Sequence, residues 1–217
     1  MNELPLKFLA ELKSNNNREW FNENKPRFEE VKKIVEDFAN QLIKEISFFD
    51  NKISGLDVKK TLFRIYRDVR FSKDKSPYKT AMGSYIAVGG RKSIFAGYYL
   101  HIEPNASFLA GGMYCPASEN LQKVRQEILY NVDEYKSIIN GKTFIDCFDT
   151  VKGDKLKRPP KGFPGDFPDV ELLKHKDFLV VHNIKDETIF RDDFLGYATN
   201  TFSNMKAFND FLNRSLD

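Results

Sequence analysis

Cysteine and histidine are scarce: Cys115 and Cys147 are the only thiols, and three histidines stand among 217 residues. Two cysteines cannot make the disulfide framework of a small secreted scaffold. Both read as free thiols in a reducing compartment. No C-x-x-C, H-E-x-x-H or calcium-loop spacing occurs, so the usual metal signatures are missing. No G-x-G-x-x-G or Walker sequence occurs either, which disfavours nucleotide binding by those devices. No apolar run approaches the ~20 residues of a membrane helix, so no membrane partner is expected. The opening MNELPLKFLAELK carries charge through its apolar stretch and lacks a small-residue cleavage site. It does not read as a signal peptide, and a cytoplasmic location is expected. Repeats and low-complexity tracts are absent as well.

Aromatic residues are abundant, with 20 Phe and 9 Tyr, and 41% of the chain is hydrophobic. That composition excludes disorder and supports a sizeable core. The net charge is only +3, yet it is unevenly spread. From Asp57 to Lys92, ten basic residues stand against Asp57, Asp68 and Asp74, so the rest of the chain is net acidic. A second basic run, Lys152 to Lys161, contains Asp154 as its one acid. Clustered positive charge creates a local field that attracts anions, which the whole-chain figure conceals.

Leu4–Leu12 and Arg18–Asn24 read as short helices, with Asn15-Asn16-Asn17 offering an N-cap between them. From Pro26 to Phe49, the spacing of Phe28, Val31, Ile34, Val35, Phe38, Leu42, Ile43, Ile46 and Phe49 predicts one long amphipathic helix. After Gly55, the runs Leu62–Val69, Ala81–Val88, Phe95–Glu103 and Ser107–Tyr114 predict strands. Gly89-Gly90 and Pro104-Asn105 supply turns between them. The short connections require antiparallel pairing. Alternation places Tyr98, Leu100 and Ile102 on one face of the sheet and Tyr99, His101 and Glu103 on the other. A helix from Ser118, a strand or helix at Phe144–Phe148, a proline-rich loop at Arg158–Pro168, a strand at Phe178–Ile184 and closing helices complete the chain. The expected class is α+β: a central antiparallel sheet, a meander of about four strands plus one or two more, packed by N-terminal and C-terminal helices. One domain over 1–217 is expected, with helices at 4–49, a sheet core at 58–114 and the remaining elements at 117–216.

The stretch Phe63–Lys79, FRIYRDVRFSKDKSPYK, is the densest source of chemistry. Arg64, Arg67 and Arg70 recur every three residues, and a bulge near Arg67-Asp68 would bring Arg64 and Arg67 together. Arginine offers a planar fork for carboxylate or phosphate. Lys75, Tyr78 and Lys79 follow on a loop stiffened by Pro77, and Lys161 is a more distant candidate for the same anion site. The competing structural reading pairs Asp68 with an arginine and leaves the lysines solvated. His101 and Glu103 share a strand face and are candidates for metal binding or acid–base work, although a two-ligand pair is weak evidence. Arg18 and Glu19, beside Trp20, could line a cleft.

These motifs resemble one family. The segments are Asn16-Asn17-Arg18-Glu19-Trp20-Phe21 with Asn24-Lys25, and the whole of Arg64–Lys79. With them go Gly97-Tyr98-Tyr99-Leu100-His101-Ile102, Gly111-Gly112-Met113-Tyr114-Cys115-Pro116 and Pro160-Lys161-Gly162-Phe163. Together they resemble domain of unknown function 2461, over about Phe8 to Leu212. Tyr114 stands where that pattern has tryptophan, which changes a ring and not a charge. The resemblance implies a single-domain protein found mostly in bacteria. It implies no activity, cofactor or catalytic residue.

Four functions compete on the residues alone. Binding of a phosphorylated or carboxylate small ligand ranks first, through Arg64, Arg67, Arg70, Lys75, Tyr78, Lys79 and Lys161. A metal-dependent enzyme acting on a phosphate ester, using His101 and Glu103, is the runner-up. Nucleic-acid binding would use the interleaved Tyr66, Phe71 and Tyr78 for stacking. A structural or partner-binding protein would turn the Arg/Asp block into a salt-bridge network.

Overall fold

The computed structural model describes residues 1–216. Three helices open it: α1 (Leu4–Ser14), α2 (Arg18–Glu23) and α3 (Lys25–Ser47). Asn17 caps α2, its side chain accepting from the Trp20 N–H at 2.9 Å. Pro26 lies in the first turn of α3, where its missing N–H costs little. The predicted stripe of α3 is buried from Phe28 through Val35 and Leu42 to Ile46, while Ile34 is half-buried and Phe49, also half-buried, lies past the end of the helix.

Among the described residues the sheet has four strands: β1 (Met82–Ile86), β2 (Gly97–Ile102), β3 (Phe108–Met113) and β4 (Phe178–Asn183). They lie in the order β1-β2-β3-β4, all antiparallel. Between β3 and β4 come α4 (Ser118–Tyr130), α5 (Val132–Ile139), α6 (Lys142–Phe148) and α7 (Val170–Leu173). After β4 come α8 (Asp186–Ile189), α9 (Phe194–Ser203) and α10 (Lys206–Arg214). The architecture is α+β. No helix among the described residues is long and apolar enough to cross a membrane.

Period-two alternation decides which face is covered. Tyr98, Leu100, Ile102 and Leu109 are fully buried, under α3, α9 and α10. Phe202 of α9 meets the Tyr98 ring edge-on at 5.5 Å, and Phe194 stacks on Phe38 of α3 at 5.0 Å. The opposite face, carrying Tyr85, Tyr99, His101 and Phe108, is half-buried. Gly112 lets β3 approach β4: its φ is +100°, and a Cβ there would lie 1.9 Å from the Phe178 carbonyl oxygen.

Two sequence expectations need correction or resolution. Leu62–Val69 is not a strand. Leu62 bridges Ser84 of β1, and Phe63 N–H donates to Gly83 O. The chain then changes partner: Arg67 N–H donates to Pro77 O and Lys79 N–H to Ile65 O. Divided between two partners, and facing Pro77 with no N–H to give, the segment cannot extend a ladder. Phe144–Phe148, whose sequence fits a strand or a helix, lies in α6. Each edge of the sheet carries a bridged segment, Leu62 at β1 and Lys152, paired with Leu179, at β4.

Candidate functional site

The segments 65–67 and 77–79 pair around one bridge, Tyr66↔Tyr78, and hold residues 68–76 as the loop between them. The N-terminal helices clamp this hairpin. The Asn16 amide accepts from Tyr78 N–H at 3.1 Å and donates to Tyr78 O at 3.0 Å, as a neighbouring strand would. Phe21 of α2 stacks on the Tyr78 ring at 3.9 Å, 16° from parallel. Phe21 is thereby fixed at the hairpin, and Arg18 and Asn22, four apart on one face of α2, turn towards it.

The result is a cleft of about 300 Å³ lined by Arg18, Asn22, Tyr66, Arg67, Val69, Pro77 and Tyr78. Arg67 is held from behind. One terminal nitrogen, Nη1, donates to Asp74 and to Ser76 O, and Nη2 donates to Ser72 Oγ at 3.4 Å. A guanidinium has five N–H donors, so Nε–H and one Nη2 N–H have no partner among the described residues. The Asp74 carboxyl is pushed well below its ordinary range, first by the Ser76 hydroxyl and N–H and then by Arg67. Arg18 has no hydrogen-bond or ion-pair partner among the described residues. The Tyr78 ring is buried, yet its hydroxyl has no protein partner there and is not sealed from solvent. Burial, then Tyr66, push the Tyr78 phenol up, against the pull of Arg18. It remains a neutral donor at physiological pH.

The other sequence candidates disperse. Arg64 and Arg67 do not converge: Arg64 lines a second cleft, on α3 and β1. Lys79 Nζ stands 5.5 Å from the Phe63 ring centre. Burial, and next Arg64, lower the Lys79 pKa. Arg70 spends its fork on Asp68, at 2.9 and 2.6 Å, and holds that carboxyl low. Lys75 Nζ donates to Val69 O at 3.0 Å, inside its own loop. Lys161 is exposed, in the segment tied to the β4 edge, whereas residues 64–79 adjoin β1.

His101 and Glu103 do meet, on the half-buried sheet face. Glu103 Oε2 lies 3.1 Å from His101 Nε2, and Tyr99 Oη lies 3.0 Å from His101 Nδ1. Thr80 donates to the other Glu103 oxygen at 3.1 Å. With Nε2 protonated, every group in the chain Tyr99–His101–Glu103–Thr80 is satisfied. Gly83 makes room for it, because a Cβ there would lie 2.4 Å from the Tyr99 hydroxyl. Burial, then the Glu103 charge, push the Tyr99 phenol up to about 12. No third His, Cys, Asp or Glu joins the pair in a group able to hold a metal, among the described residues.

Residue types pointed to Arg67 and Tyr78, and Arg18 was signalled by its place beside Trp20. Asn22 and the Asn16 clamp had no such signal, since Asn16 and its partner lie 62 residues apart. No curated protein and no solved structure matches the chain. A family model described as "Conserved hypothetical protein (DUF2461)" matches residues 5–211. With nearly the whole length covered, and with the clamped hairpin built from the two motifs that first suggested it, the chain belongs to this family.

Proposed function

We propose that the cleft between α2 and the 65–79 hairpin binds the phosphoryl or carboxylate group of a small ligand. One observation carries the reading. Arg67 is immobilised by Asp74, Ser76 and Ser72 with two N–H donors left over, and it shares the cleft with unpartnered Arg18. A preorganised fork loses little entropy on binding, and bidentate contact with an oxyanion is its strongest use. The Tyr78 hydroxyl is a further donor. The volume suits a small molecule. In this reading Arg70 and Lys75 support the loop, Arg64 and Lys79 adjoin the site, and Lys161 takes no part.

The test is thermal unfolding with inorganic phosphate, sulfate and citrate. A ligand at 100 times its Kd adds about 2.7 kcal/mol, a shift of roughly 5–10 °C for a chain of this length. Arg18→Gln should abolish the shift and Arg70→Gln should keep it. Equal responses from both variants would remove the assignment.

A second reading, hydrolysis of a phosphate ester, is favoured by the Tyr99–His101–Glu103 chain. It predicts ester cleavage that His101→Gln abolishes without loss of anion binding. Cleavage undiminished in that variant would refute it.

A further inference from the structure

The second cleft, about 200 Å³, lies between α3, the 62–66 segment and β1. Among the described residues Tyr66 alone lines both clefts, so the two clefts meet at this residue. Their linings differ in kind. The first presents Arg18, Arg67 and Tyr78. The second is mainly apolar, with Phe28, Val35, Leu62, Phe63 and Met82, and has Arg64 and the Lys32–Glu29 pair among its charged groups. Val35 is fully buried and Met82 nearly so, which places the cleft against the core. Close-packed interiors leave few voids larger than a water molecule. Phe63 and Tyr66 stay 40% and 48% exposed beside it. Apolar surface held open to water favours an apolar occupant.

We infer that the ligand is an amphiphilic anion. Its phosphate or carboxylate lies in the first cleft, and an aryl or short alkyl group crosses Tyr66 into the second. The inference rests on the anion-site reading and adds the substrate class. A free inorganic anion leaves the second cleft unused. A nucleic-acid strand is the less suited occupant, because the second chamber, Arg64 and Lys32 apart, is walled mainly by aliphatic and aromatic groups.

Isothermal titration of the full chain separates the cases, with inorganic phosphate, phenyl phosphate, n-butyl phosphate, n-hexyl phosphate and an oligothymidine as probes. Each buried methylene is worth about a four-fold gain in affinity. Phenyl and n-hexyl phosphate should therefore bind at least ten-fold more tightly than phosphate. Phe63→Ser should erase that gain and leave the phosphate affinity unchanged. Should Phe63→Ser fold poorly, Glu29→Trp, at an exposed position of α3 in the same cleft, should erase it by filling the space. Phosphate binding with no gain from the apolar groups would overturn this inference and leave the anion site standing. An undiminished gain in both variants would overturn it too. No binding of any phosphate would remove both readings. Tighter binding of the oligothymidine than of phenyl phosphate would overturn it in favour of nucleic acid.

Discussion

Acidification from pH 7.5 to 5 should weaken the fold through His175. The imidazole is 4% exposed, with Nδ1 buried and without a partner. Arg125 donates to the His175 carbonyl at 2.8 Å, and Lys155 bridges the His175 backbone. Burial, then Lys155, drive its pKa down to about 4, with Asp177 opposing and Arg125 adding to the fall. The unfolded value is about 6.5. Between those limits the unfolded chain holds a proton that the native chain refuses. Stability is therefore full above about pH 6.5, declines as the pH falls, and levels near pH 4. Two-state linkage gives a loss of at most about 2 kcal/mol at pH 5. The assay is urea unfolding at both pH values for the native sequence and for His175→Leu. The native chain should lose about 1–2 kcal/mol more on acidification than the variant does, with solvent screening setting the lower figure. Equal losses in the two proteins would refute the reasoning, whatever the variant's stability at pH 7.5.

Asn16→Ala removes both bonds to the Tyr78 backbone. It should cost about 1–3 kcal/mol in urea unfolding and should lower phosphate affinity as well. Gly112→Ala forces a Cβ against Phe178 O at positive φ and should cost more than about 3 kcal/mol, or prevent folding; circular dichroism during expression trials decides. One domain over 1–217 predicts a single unfolding transition, coincident by fluorescence and circular dichroism. Two resolved transitions would count against it.

Much of the fold was legible because its signals are local. The α3 stripe, the Asn17 cap and the alternation of β2 depend on residues a few positions apart, and each holds in the structure. The segment Leu62–Val69 misled because β-rich composition does not say which strand will supply its partners. Helix α5 has no periodic signal in the sequence, because Tyr135 is its one fully buried residue. The candidate site was half legible. Density of Arg, Lys and Tyr marked the hairpin that lines the first cleft, but a count of charges cannot show that Arg70 is spent on Asp68 or Lys75 on Val69. Nor could it show that Arg64 and Arg67 line different clefts, because that depends on a change of hydrogen-bond partner midway.

The single bridges at the two borders of the sheet have a consequence for self-association. An unpaired strand border is a template on which another chain can pair. Here β1 is occupied by the Leu62 segment and β4 by the Lys152 segment, each through a short contact. Lysines accompany both, with Lys59 and Lys60 before Leu62 and Lys155 after Lys152, and such charge discourages a second strand from docking. The Leu62 segment is also the start of the hairpin that α2 clamps. Loosening the N-terminal helices would therefore bare the β1 border and open a route to aggregation.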